Sequence, residues 1–128
     1  MNLGVLLAIG IGGFVGAILR FSISTWVGKV TSTAFPFGTL SVNILGSFFI
    51  GFLFLYFQNI NFSPIQKALV ITGLLGALTT FSTFSLDTVL LIEKELYMKA
   101  LSSLLLNVVF SIGATVLGML VFKRVYIS

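Results

Sequence analysis

The chain has 128 residues, of which 58% are hydrophobic and only 8% are charged, and its mean hydropathy is +1.19. A water-soluble domain carries about 25% charged residues, so this chain cannot cover a core with a solvated surface. It lacks cysteine and histidine and has three carboxylates, which excludes thiolate chemistry and leaves little for a metal-dependent or histidine-based catalyst. We therefore predict an integral membrane protein that is not an enzyme.

Four apolar runs follow one another along the chain, over residues 3–27, 37–57, 65–92 and 100–122. Each reaches the ~20 residues that a membrane-spanning helix needs. The first run has no basic leading region and exceeds the ~7–15 residues of a signal-peptide core, so we expect it to be retained. The prediction is an all-α protein with one four-helix transmembrane domain over residues 1–128.

The net charge of +4 is spread singly near the ends of these runs. Such placement favours anchoring to lipid headgroups, and no nucleic-acid partner is expected. The two sides of the membrane carry nearly equal numbers of basic residues, with Lys67, Lys123 and Arg124 beside the termini and Arg20, Lys29, Lys94 and Lys99 opposite. Either a weak bias decides orientation, or both orientations are made and the protein works as an antiparallel pair.

Small residues recur on the predicted helices, as in the pairs Gly12–Gly16 and Gly113–Gly118. They allow helix backbones to approach closely, either within one chain or between two chains. A four-helix bundle fills its own centre with side chains. A solute route is therefore more plausible at or beside the interface of a dimer.

Polar residues spaced four apart form stripes on the second and fourth runs, namely Thr39, Asn43 and Ser47, and then Ser103, Asn107, Ser111 and Thr115. Serine and threonine hydroxyls can bond to their own helix. An asparagine amide has two donors and an acceptor to satisfy. The two asparagines therefore favour interhelical hydrogen bonds or a lined solute path.

The third run, over residues 65–92, is longer than a single crossing requires. Its residues 76–80 fall at mid-membrane, and Gly76, Thr79 and Thr80 are weak helix formers. We therefore predict a helix that is broken at this depth. Phe81 and Phe84 are three residues apart, so their ring edges and nearby hydroxyls could receive a small anion. Alternatively, the two rings simply pack against neighbours.

Three segments, GGFVGAILRF (12–21), FGTLSVNILGSFFIGF (37–52) and GLLGALTTFSTFSLD (73–87), together resemble the signature segments of the Fluc (CrcB) family of fluoride channels. The resemblance implies a dual-topology homodimer of antiparallel subunits in the bacterial inner membrane. Two pores would run along this dimer and passively export fluoride (F-), which relieves fluoride toxicity. Asp87 stands where the family usually has glutamate.

The same resemblance implies roles for individual residues. The fluoride pathway would use Phe81, Phe84, Asn43, Ser111, Asn107, Thr39 and Thr83, and Arg20 would be the basic residue near the pore mouth. Main-chain oxygens of Gly76 and Thr79, joined by those of the opposite subunit, would hold a structural sodium ion (Na+) at the dimer centre.

Two other functions remain open at this point. A small proton-coupled multidrug exporter needs an ionisable group at mid-membrane, but Asp87 is about eleven residues, or ~16 Å, beyond that level. A non-transporting assembly subunit would use the polar stripes only to hold helices together.

Overall fold

Residues 2–127 are described by the computed structural model and contain four helical spans with no strand among them. The first, second and fourth spans are the helices α1 (Leu3–Thr31), α2 (Phe37–Asn59) and α6 (Tyr97–Tyr126), and the third span covers Pro64–Glu93. Each span is long and apolar enough to cross a membrane. The prediction of an all-helical protein with four such spans is confirmed.

The helices extend beyond the apolar runs that predicted them. Helix α1 continues past residue 27 to Thr31, whose hydroxyl donates to the carbonyl of Val27 at 2.8 Å. It ends at Ser32, which has left-handed backbone and whose N–H bonds to the carbonyl of Gly28. Helix α6 likewise includes Lys123 and Arg124 in its last turn. Hydropathy marks the apolar part of a helix, whereas polar residues at its ends keep the same backbone geometry.

The third span is irregular. It begins with the short helix α3 (Pro64–Lys67), continues as the π-helical segment π1 (Ala68–Leu75) and then as one turn, α4 (Gly76–Leu78). Regular helical structure stops there, because Thr79 has extended backbone with φ −84° and ψ 158°. Helix α5 (Ser82–Glu93) follows. The three residues between α4 and α5 are called segment 79–81 below.

Glycines allow the spans to approach each other closely. A Cβ atom on Gly12 of α1 would lie 2.1 Å from the carbonyl oxygen of Leu69 in π1. A Cβ atom on Gly51 of α2 would lie 2.1 Å from the carbonyl oxygen of Thr115 in α6. These two helix pairs therefore pack backbone against backbone within one chain. Around Gly113 of α6, by contrast, the space is open.

Large apolar side chains cover the outside of the bundle. Phe14 and Trp26 on α1 are about two-thirds exposed, and all four spans carry other exposed large apolar side chains. A soluble protein rarely exposes so much contiguous apolar surface. The buried cluster inside is small and centres on Val42, Leu75 and Leu78.

Candidate functional site

An open groove of about 420 Å³ lies where α2, the third span and α6 meet. Polar and aromatic side chains from all three spans face it. Seven of the predicted site residues line this groove: Asn43, Gly76, Thr79, Phe81, Phe84, Asn107 and Ser111. The groove is therefore the place where most of the residues selected from the sequence come together.

Asn43 of α2 holds the main chain of segment 79–81. Its side-chain oxygen accepts a hydrogen bond from the N–H of Thr80 at 2.8 Å, and its amide nitrogen donates to the carbonyl of Thr80 at 3.1 Å. The same nitrogen donates to Oδ1 of Asn107 at 2.9 Å. The N–H and the carbonyl of Thr80, which have no partners in a helix, are thus both hydrogen-bonded by one side chain.

Asn107 of α6 extends this network to the fourth span. It accepts from Asn43 and donates to the carbonyl of Ser103 at 2.8 Å. Ser103 is fully buried, and Asn107 is nearly so. The interhelical hydrogen bonding that the two asparagines favoured is therefore present, and it links three spans at the inner wall of the groove.

Phe81 and Phe84 form an edge-to-face pair at the groove. Their ring centroids are 5.4 Å apart and their planes meet at 71°. They differ in burial, because Phe81 belongs to segment 79–81 and is 76% exposed, whereas Phe84 lies in α5 and is 8% exposed. The two rings are therefore in contact, as their three-residue spacing allows, but only Phe81 is exposed.

Ser111 contributes a hydroxyl without a partner. Its Oγ is buried and makes no hydrogen bond with any other described residue. The next hydroxyl of the stripe, that of Thr115, donates to the carbonyl of Ser47 and to that of Ser111 itself, each at 3.1 Å. A buried hydroxyl without a partner costs free energy, so the Ser111 side chain retains a hydrogen-bonding capacity that the folded chain does not use.

Three predicted site residues lie away from the groove. Thr39 faces a second cavity of about 300 Å³ near the α1–α2 connection and donates to Oδ2 of Asp87 at 2.7 Å. Thr83 lies in the first turn of α5, where its N–H donates to the hydroxyl of Thr80 at 3.1 Å. The Arg20 side chain on α1 reaches Ala77 in α4, where its Nε donates to the main-chain oxygen at 3.0 Å.

Sequence reasoning did not select two further residues that shape the groove. Gly46 gives segment 79–81 room, because a Cβ atom there would lie 2.3 Å from a methyl group of Thr79. Its position three residues after Asn43 was the available signal. Thr80, which the sequence indicated only as a weak helix former, is held through its main chain. Almost every residue offers those groups, so no sequence signal could have identified these two hydrogen bonds.

The spans, their apolar exterior and the polar groove define a multi-pass membrane protein of the cell membrane. Residues 7–119 match the family described as CrcB-like protein, Camphor Resistance (CrcB). The chain belongs to this family, as the signature segments predicted.

Similar proteins from several bacteria carry the name "Fluoride-specific ion channel FluC". The one from Sulfurovum sp. is 61% identical over 121 residues, which cover 94% of this chain and 95% of the relative. The one from Nitratiruptor sp. is 55% identical over 126 residues, covering 98% of each. The one from Campylobacter jejuni subsp. jejuni serotype O:23/36 is 48% identical over 121 residues, covering 94% and 99%.

Proposed function

We propose that this protein is a fluoride channel, and not an enzyme, that lets F- leave the cell passively and selectively and so relieves fluoride toxicity. Fluoride is small and strongly hydrated, so a pathway must replace its water with donors that do not trap it. The observation that carries the proposal is the unpartnered Ser111 hydroxyl in the same groove as the Phe81 and Phe84 rings. Aromatic edges carry partial positive charge, and no described lysine or arginine lines the groove.

The residues have different roles in this proposal. Phe81, Phe84 and Ser111 contact the ion with ring edges and a hydroxyl. Asn43 and Asn107 form the wall, where their amide hydrogens are already bonded within the chain. Thr39 and Thr83 provide hydroxyl groups to the pathway outside the groove. Arg20 is the basic residue toward the mouth of the groove.

The functional unit is an antiparallel homodimer with two pores, in which each chain contributes one transmembrane domain of residues 1–128. In a single chain the groove is open, and Phe81 at its rim is largely exposed. An apolar surface of this kind needs either lipid or protein against it. A second copy inserted the other way round encloses the ion path and accounts for the near-even distribution of basic residues.

The main-chain oxygens of Gly76 and Thr79 fit a structural sodium ion at the dimer centre. Outside the regular helices, no hydrogen bond of residues 2–127 ends on either oxygen. Gly76 is exposed, and a Cβ atom there would meet nothing closer than 3.6 Å. Hard cations prefer oxygen ligands, and unwound carbonyls in membrane helices coordinate sodium. These two oxygens would hold the ion, which would supply positive charge to them.

Fluoride efflux from liposomes that contain the purified protein tests the proposal. We expect efflux that chloride does not compete with, and we expect Phe81→Ile to reduce it by about fivefold or more, because an aromatic edge is worth about 1 kcal/mol. The matched control is Phe14→Ile on the outer face of α1, which should leave efflux unchanged. Chloride flux equal to fluoride flux would refute selectivity, and absence of flux would favour an assembly subunit.

A second prediction concerns the unpartnered hydroxyl. Ser111→Ala should lower fluoride flux by about tenfold, since it removes a donor of about 1–2 kcal/mol from the path. Thermal stability should not fall, because the Ser111 hydroxyl makes no hydrogen bond to the described part of the chain. Ser102→Ala on the same helix, away from the groove, is the control. Unchanged flux in Ser111→Ala would remove this hydroxyl from the pathway.

The exporter alternative gains no support from the groove. Asp87 lies outside it and is bonded to Thr39, and no other described carboxylate lines it. A proton-coupled carrier would need such a group in contact with its substrate.

A further inference from the structure

We infer that Arg20 is a positioning residue for segment 79–81, and that it acts through the hydrogen bond that Nε donates to Ala77, not through its charge. The inference rests on the proposed function, because it assigns how the conducting shape of the third span is kept. It also gives Arg20 a task different from attracting anions at a pore mouth.

The partner of Arg20 is a carbonyl that has lost its helical donor. In an unbroken helix, the N–H of Phe81 would bond to the oxygen of Ala77. The chain leaves helical geometry at Thr79, and that bond is absent. Arg20 Nε donates to the oxygen of Ala77 instead, at 3.0 Å. A carbonyl without a partner at this depth would cost several kcal/mol, so the α1 side chain stabilises the irregular conformation.

Close packing of α1 makes the contact possible. Gly16 lies one turn before Arg20, and a Cβ atom there would lie 2.2 Å from the oxygen of Leu74 and 3.1 Å from Cβ of Ala77. Long side chains on a helix point back toward its N-terminus. The Arg20 side chain therefore runs over the Gly16 level, where α4 lies against α1.

Segment 79–81 is thus held from two sides. Arg20 of α1 bonds to Ala77, two residues before the segment, and Asn43 of α2 bonds to Thr80 within it. Gly76 and Thr79 lie within two residues of Ala77, so the orientation of their oxygens depends on the peptide group that Arg20 holds. The guanidinium does not line the groove, which argues against direct contact with a passing ion.

Two substitutions separate the donor from the charge. In Arg20→Gln, the amide nitrogen stands the same number of bonds from Cα as Nε does in arginine, so the donor is kept and the charge is lost. Arg20→Met has a side chain of similar length that carries neither the donor nor the charge. Fluoride efflux should stay within about threefold of wild type in Arg20→Gln and fall by about tenfold or more in Arg20→Met. Lys29→Met, at the exposed end of α1, controls for loss of a positive charge and should have no effect.

A second readout does not depend on transport. Solid-state NMR of protein labelled with 13C at the Ala77 carbonyl, in lipid bilayers, should give the same hydrogen-bonded chemical shift in wild type and Arg20→Gln, and a shifted signal in Arg20→Met. Equal loss of flux in both variants would overturn the inference, since the charge would then be what matters. An unmoved carbonyl signal in Arg20→Met would also overturn it.

Other outcomes are separable. If wild type carries no fluoride, the proposed function fails, while the carbonyl signal still decides whether Arg20 holds Ala77. If Arg20→Met does not fold, Arg20→Gln decides: a folded, conducting Arg20→Gln supports the donor role, and an unfolded one contradicts it.

Discussion

Replacing Asn43 with leucine is expected to abolish fluoride flux and to lower the free energy of unfolding by about 3–5 kcal/mol. Leucine keeps the branching of the side chain but removes three hydrogen bonds. The buried Oδ1 atom of Asn107 and the part-buried N–H and carbonyl of Thr80 would then be left without these partners, at about 1–3 kcal/mol for each group. Liposome efflux and denaturation in detergent measure the two effects.

Asn59→Leu is the matched control for this substitution. Asn59 ends the same helix and is exposed, and among residues 2–127 its side chain bonds only to the carbonyl of Leu55 one turn earlier. It should change neither flux nor stability by a measurable amount. Asn43→Asp tests the two hydrogen bonds to Thr80 separately, because a carboxylate accepts from the Thr80 N–H but cannot donate to the Thr80 carbonyl. Wild-type flux and stability in Asn43→Leu would show that segment 79–81 does not depend on this clamp.

Hydropathy predicted the number and order of the spans because a membrane helix must be apolar for most of its length. It could not predict the helix ends, where residues such as Thr31 continue the backbone through polar sequence. Nor did it predict π1. Its sequence, ALVITGLL, is almost uniformly apolar, so no pattern in it distinguishes a π-helical from an α-helical turn.

The candidate site was predictable where its side chains recur at helical spacing along the sequence. Asn43 and Asn107 were selected from stripes of four-residue spacing, and the structure brings them into contact. Thr39 belongs to the same stripe as Asn43, but it lies one turn earlier, at the start of α2, where it faces the second cavity. The main-chain partners of Asn43 and Arg20 were not predictable, because a carbonyl leaves no signal in the sequence.

Gly118→Ala is the second substitution expected to have a large effect. A Cβ atom at Gly118 would lie 2.1 Å from the oxygen of Phe48 and 2.9 Å from the nitrogen of Phe52, both backbone atoms of α2. Backbone atoms cannot move aside individually as a flexible side chain can, so α2 and α6 must separate. The hydrogen bond from Thr115 to Ser47 is then lost as well. We expect a destabilisation of at least about 3 kcal/mol and loss of fluoride flux.

Gly113→Ala on the same helix separates packing from every other effect of adding a methyl group. No atom of the described residues lies within 4 Å of the Cβ position at Gly113, and alanine favours a helix over glycine by about 1 kcal/mol. Both variants have the same composition and hydrophobicity, so membrane insertion is matched. Unfolding in detergent should show Gly113→Ala at or above wild-type stability and Gly118→Ala well below it. An equal loss in both would contradict the intrachain explanation, because the open face around Gly113 would then have to be covered in the assembled protein.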